Sequence, residues 1–319
     1  LIFALAYLNR TTFPHPWNDE AGFYLPALWW AEHFSLSPAN LHAPHGIFWV
    51  TDGFTIFIGL ALRLFGESIQ VARGVCEFVV ALGVTLFAFG FRKLGGSWQA
   101  GVLTTLLLLT PPVVFAANMV RMEAPLFLLI ALALLLHVHE YFLAAASLLA
   151  GSLLFHPALG IAALGYAVIV ILASGREGPK RSIAPFEWAI LVLVALLTSA
   201  ELLRMVHHWG LFEAHMAYQT GRKLQSPIRT KLMKPQGLIL LISSVTVAIL
   251  LWRRRACPKP GPLRDLLPVA GIALGILIYA VFGNEMAYDV YSLSVGPALV
   301  FCLVCRDFGE ATFQLDATR

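Results

Sequence analysis

The sequence predicts an all-α chain: a polytopic transmembrane bundle of about ten spans, with interfacial helices in its first external loop. Three observations carry this. Of 319 residues, 59% are hydrophobic and only 13% are charged, where soluble domains carry about 25% charged residues. Apolar runs long enough to cross a bilayer recur along most of the chain. The basic residues between them gather in alternate connecting loops, as they do in a multi-pass protein.

The elements follow in order. Leu1–Leu8 is apolar but too short to span, and is expected to be the end of a first helix that starts upstream. Residues 9–67 form the first external loop. Spans are expected near 68–91, 97–117, 122–138, 141–156, 158–174, 186–206, 236–252, 266–283 and 287–305. Pro111-Pro112 should interrupt the second of these, which a buried bundle helix tolerates. His156-Pro157 makes a corner between two spans. Residues 306–319 form a cytoplasmic tail. With no internal repeat and no low-complexity linker, the chain reads as one membrane domain over 1–319. Cys76, Cys257, Cys302 and Cys305 are scattered among apolar runs and give no disulfide framework. Cys302 and Cys305 read as small packing residues.

Orientation comes from the short loops. Arg92 and Lys93, then Arg176, Lys180 and Arg181, then Arg253, Arg254, Arg255, Lys259 and Arg264, and finally Arg306 fall on one side. That side is cytoplasmic by the positive-inside rule. The loop 207–235 breaks the pattern, with Arg222, Lys223, Arg229, Lys231 and Lys234 on the external side. A basic cluster there reads as a surface for an anionic ligand. The formal charge of +4 is too small to point to nucleic acid.

The first external loop reads His15-Pro16-Trp17-Asn18-Asp19-Glu20-Ala21-Gly22-Phe23-Tyr24 and turns helical from Glu20. Phe23, Ala27, Trp30 and Phe34 are expected on one face, and Trp29-Trp30 suits a helix lying in the membrane interface. A second short apolar helix is expected over Phe54–Phe65, ending at Gly66. Two acids thus open an interfacial helix. One reading is a cap, with Asn18 or Asp19 capping the helix and Glu20 complementing its dipole. The other is a reactive acid pair beside a basic outer loop.

The order of motifs over about residues 10–170 resembles the GT-C superfamily of membrane glycosyltransferases. The closest branches are the protein O-mannosyltransferases and the aminoarabinose transferases. The resemblance rests on Asp19-Glu20 with Tyr24; on His45-Gly46-Ile47-Phe48-Trp49, then Leu64-Phe65-Gly66; and on Ala72-Arg73. It continues through Arg121-Met122-Glu123-Ala124-Pro125 and Gly151-Ser152-Leu153-Leu154-Phe155-His156-Pro157. It implies an inverting transferase that takes a sugar from a polyprenyl-phosphate donor at the outer face of the membrane. The acceptor would be a hydroxyl or amine of a glycan, lipid or protein. Asp19 would then be the general base, with Glu20 holding the acceptor. Fixed cations among Arg222, Lys223, Arg229, Lys231 and Lys234 would stabilise the departing phosphate. Tyr24, His45, Arg121, Glu123, His156 and Tyr288 would line the substrates.

Several of these residues have a plainer reading. Arg121 and Glu123 equally suit a local ion pair at a helix end, and Arg73 and Glu77, four apart, suit mutual neutralisation on one helix face. His156 suits an interfacial histidine. Tyr288, Asp289 and Tyr291 suit interface anchors. His15, His42, His45 and Asp52 are weak candidates for a divalent metal, without a fixed ligand spacing. A prokaryotic plasma membrane is the expected location, and a transporter or flippase of lipid-linked sugars is the alternative class. Against that alternative, no pair of Gly/Pro-broken spans stands in matching halves.

Overall fold

The computed structural model describes residues 18–36, 42–43, 46–47, 51–155, 182–214, 217, 238–239, 241–243, 245–246, 249 and 295–317. The expected segments 1–8, 158–174 and 266–283, and most of 236–252, lie outside these residues.

The described chain is helical apart from one antiparallel pair of two-residue strands, β1 (His42–Ala43) and β2 (Gly46–Ile47). The helices are α1 (Asn18–His33), α2 (Asp52–Phe65), α3 (Ile69–Gly95), α4 (Trp98–Leu108), α5 (Pro111–Ala117) and α6 (Glu123–Val138). They continue with α7 (Phe142–Ala150), which runs into a 3-10 turn over Gly151–Leu154, then α8 (Pro185–His207) and α9 (Gly296–Ala317). Two of them, α3 and α8, are long and apolar enough to cross a membrane. At 1.5 Å per residue, α3 reaches about 40 Å and α8 about 35 Å.

Local chemistry sets the boundaries. Ser68 caps α3 by accepting from the Val71 amide, and Ser97 caps α4 by accepting from the Ala100 amide. Gly96 ends α3 in the left-handed conformation at φ 72°. The expected span 97–117 breaks in two at Leu109-Thr110. Pro111 lacks the amide that would continue α4, so α5 starts afresh with proline in its first turn. Residues 287–294 of the last expected span lie outside the described residues; from Gly296 the backbone stays helical to Ala317, through most of the expected tail.

α3 is the centre of the packing, against α6 above all, and also against α2, α4, α5 and α9. Phe87 lies between Phe91 and the α6 ring Phe127, at 5.4 and 5.0 Å between centroids. α6 packs on α7, and α7 on α8. α1 and α2 pair across the start of α3. Phe23, Ala27 and Ala31 are the buried apolar stripe of α1, and Trp30 lies against Gly59 of α2. Phe34 does not join that stripe. It lies past the end of α1 at φ 51°, exposed, with the Arg63 guanidinium 3.9 Å above its ring. α2, at about 21 Å, is too short to cross a hydrocarbon core of about 30 Å.

One end of the bundle collects the starts of α1, α2, α3 and α6 with the far ends of α7 and α8. Hydrogen bonds between these elements fix that arrangement. Arg92 and Lys93 lie in the last turn of α3, at the opposite end.

Candidate functional site

The candidate site is built around the first turns of α1. Glu20 is fully buried, and its carboxylate accepts three hydrogen bonds. Arg73 of α3 donates from Nε to Oε1 at 2.8 Å and from Nη2 to Oε2 at 2.7 Å. The Val120 amide, in the turn before α6, donates to Oε1 at 3.0 Å. Side-chain exposure across the pair is 1% for Arg73 and 0% for Glu20. A two-point guanidinium–carboxylate pair is directional as well as strong, so three segments are set in one geometry. The sequence offers Glu77 as the neutraliser of Arg73, but the two-bond partner is Glu20, 53 residues away. Glu77 is also buried, one turn further along α3. The Glu20 oxygens fasten α1 to the bundle.

Asp19 occupies the first turn of α1, next to this anchor. Because α1 begins at Asn18, neither Asn18 nor Asp19 stands before the helix as a cap. The Asp19 side chain lies outside the described residues.

Arg121 and Glu123 form the local pair that their spacing allows. Nε donates to Oε2 at 3.1 Å and Nη2 to Oε1 at 3.0 Å, with both side chains buried. Glu123 opens α6, where a negative charge also meets the positive end of the helix. The Arg121 guanidinium carbon is 5.9 Å from the centre of the Phe23 ring, and Phe23 in turn meets Phe54 edge to face at 5.6 Å. The second arginine pair therefore braces the same face of α1. The Tyr24 hydroxyl donates to the Glu67 carbonyl oxygen at 3.3 Å. Burial, followed by the charges of Glu67 and Glu32, pushes that phenol above its usual range.

A second charged group lies where α2 starts. Asp52 meets Arg204 of α8 at 2.9 Å, and Arg204 also binds Glu201 at 2.7 Å. The Asp52 amide donates to Glu201 Oε2 at 3.4 Å. Beside it, Thr51 donates to the Phe155 carbonyl at 3.0 Å, and Gly53 lies so close to Leu154 that a Cβ would fall 2.5 Å from its carbonyl oxygen. Burial pushes the Asp52 carboxyl up to about 7; Arg204 lowers it and Glu201 raises it further. The Asp52 carboxylate lies against the Arg204 guanidinium. Among the described residues, no three histidine, cysteine or acidic side chains converge as a metal site requires.

His15, His45, His156, Arg222, Lys223, Arg229, Lys231, Lys234, Tyr288, Asp289 and Tyr291 lie outside the described residues, as does the side chain of His42. Sequence reasoning missed Glu201 and Arg204, which it absorbed into an apolar span. The available signal was the charge itself: an acid and an arginine three apart within a spanning run mark a place where helices meet. Chemically, the described site offers two buried arginines, each already facing a glutamate. A cation for a departing phosphate would have to come from elsewhere, such as the 207–235 loop.

Comparison of the chain with protein-family models, with curated proteins and with solved structures finds no match.

Proposed function

We propose that this chain is a multi-pass membrane glycosyltransferase that moves a sugar from a polyprenyl-phosphate donor to an acceptor hydroxyl or amine at the outer face of a prokaryotic plasma membrane. The observation that supports this most is the Glu20–Arg73 pair with its Val120 amide. It fixes the helix whose first turn holds Asp19 to the end of the bundle. That end is the outer one when Arg92 and Lys93, at the other end of α3, face the cytoplasm. A general base works only when held within reach of the proton it removes, and an anchored first turn meets that need.

In the proposed step the acceptor oxygen or nitrogen attacks the anomeric carbon from the face opposite the phosphate. Its proton passes to the Asp19 carboxylate. The bond from the anomeric carbon to the phosphate oxygen breaks, and polyprenyl phosphate leaves with the electron pair. The configuration is inverted. Glu20 and Arg73 act as positioning residues. Arg222, Lys223, Arg229, Lys231 and Lys234 are the proposed source of positive charge for the leaving group.

The test offers a panel of radiolabelled polyprenyl-phosphate sugars and a membrane extract to the parent and to Asp19→Asn in liposomes. The parent should release polyprenyl phosphate and label an acceptor, and the variant should be slower by roughly 10²–10⁴-fold. Equal rates in a folded variant would remove Asp19 as the base. Translocation of the donor by both proteins, without turnover, would make the chain a flippase.

A further inference from the structure

The second charged group, at the start of α2, has its own chemistry. Two carboxylates, Asp52 and Glu201, approach one guanidinium: Arg204 Nε lies 2.9 Å from Asp52 Oδ2 and 3.2 Å from Glu201 Oε2. Arg204 Nη2 binds the other Glu201 oxygen at 2.7 Å. Glu201 thus holds the guanidinium by two points and Asp52 by one. The cluster joins two segments far apart in sequence, the first turn of α2 and the last turns of α8. It is largely withdrawn from water, with 17% of the Arg204 side chain and 20% of the Asp52 side chain exposed. An ionised Asp52 here gains one attraction, from Arg204. It also suffers one repulsion, from Glu201, and loses most of its hydration.

We propose that Asp52, Arg204 and Glu201 form a proton-operated clasp between the first external loop and α8, tight when Asp52 is protonated and loosened when it ionises.

The protonated carboxyl keeps a hydrogen-bonding hydroxyl and sheds both the repulsion and the desolvation penalty. Glu201 alone then neutralises Arg204. Among the described residues, Arg204 and Glu201 are the charges that bear on Asp52. The 3-10 turn contributes Leu154 and Phe155, which are uncharged. On α2 the nearest basic residue is Arg63, in the last turn, and on α8 the titratable neighbours of Arg204 are His207 and His208. Burial as the dominant influence on the Asp52 carboxyl agrees with this arrangement. The direction follows from linkage. The folded Asp52 releases its proton at higher pH than the unfolded one, so the folded state binds more protons between about pH 4 and 7. Stability therefore falls as pH rises through that window and is fully gained below it. A simple salt bridge has the opposite sign. The proposal does not depend on glycosyl transfer.

The experiment measures thermal unfolding of the purified full chain in detergent at pH 8 and pH 5.5, for the parent, Asp52→Asn, Glu201→Gln, and the His207→Gln/His208→Gln double variant. The parent should melt higher at pH 5.5 by a few degrees, roughly the shift that one such titration gives. Asp52→Asn, which carries a neutral group at every pH, should lose this dependence and match or exceed the parent at pH 8. Glu201→Gln should shrink the dependence, and the histidine variant should keep it. Hydrogen–deuterium exchange of the peptide that begins at Thr51 supplies a local readout. At pH 8 the parent should exchange faster there than Asp52→Asn, and at pH 5.5 the two should agree. A parent that melts lower at pH 5.5, an Asp52→Asn chain that is less stable at pH 8 or fails to fold, or a dependence carried by the histidines would each overturn the clasp.

Discussion

Two arginine–carboxylate groups tie the same end of the bundle together, yet they differ in kind. At Glu20–Arg73 the side chains are sealed, with 0% and 1% exposed, and a backbone amide completes the set. At Asp52–Arg204–Glu201 about a fifth of Asp52 still meets solvent, and two acids contend for one cation. The sealed pair has geometry and no slack, so removal of either partner leaves a buried charge uncompensated. The second group keeps contact with water, so its balance shifts with the proton concentration. The sealed pair fixes α1, and the open one adjusts how α2 meets α8.

The sharpest way to break this contrast is at the sealed pair. Glu20→Ala should destabilise the fold by about 3–5 kcal/mol, read from unfolding in detergent, because the buried Arg73 loses its two-point carboxylate partner. The double replacement Glu20→Met with Arg73→Leu should recover most of that loss. If Glu20→Ala proves neutral, the pair is not sealed and the contrast collapses. Between the two groups in size is the α1–α2 seam. A Cβ on Gly59 would lie 2.6 Å from Trp30 Cε3 and 2.9 Å from the Ala27 carbonyl oxygen. Gly59→Ala should thus push α1 away, with a loss of about 1–3 kcal/mol. Under the proposed function, transfer should fall alongside, since α1 carries Asp19. The smallest effect belongs to the open group. Arg204→Lys, which keeps a cation beside the buried Glu201 but loses its two-point grip, should change stability by about 1 kcal/mol. Raising salt should erode that contribution while leaving the Glu20–Arg73 contribution nearly intact.

Much of the helical frame was legible beforehand, because apolar run length and proline chemistry are local. The split of the second span at Pro111 and the end of α2 at Gly66 both follow from backbone rules that need no partner. The partners of charges were less legible. Arg73 has an acid one turn away on its own helix, and periodicity favours that neighbour. The observed partner comes from α1, through a contact that only tertiary packing creates. Arg121 and Glu123 were readable because both lie within one turn. Trp30 and Phe34 show the limit of helical periodicity. The helix ends at His33, so the fourth member of the expected stripe leaves the face it was counted on. The buried pairing of Glu20 with Arg73, across 53 residues, was not visible in the Asp19-Glu20 pair, because tertiary packing makes it.

One feature of α8 bears on how it moves. Near one end Glu187 accepts from the Ala144 amide at the start of α7, at 3.4 Å, and near the other Glu201 accepts from the Asp52 amide at the start of α2, also at 3.4 Å. These residues are separated by about 21 Å along the axis, close to four turns, and so emerge on nearly the same side of the helix. α8 is therefore a strut pinned twice along one edge. It cannot slide by a turn, about 5.4 Å, without breaking both pins at once. If the contacts at Asp52 alone are released, the far end of α8 keeps its seat on α7 and on the 3-10 turn, and the freedom gained is confined to the stretch toward His207.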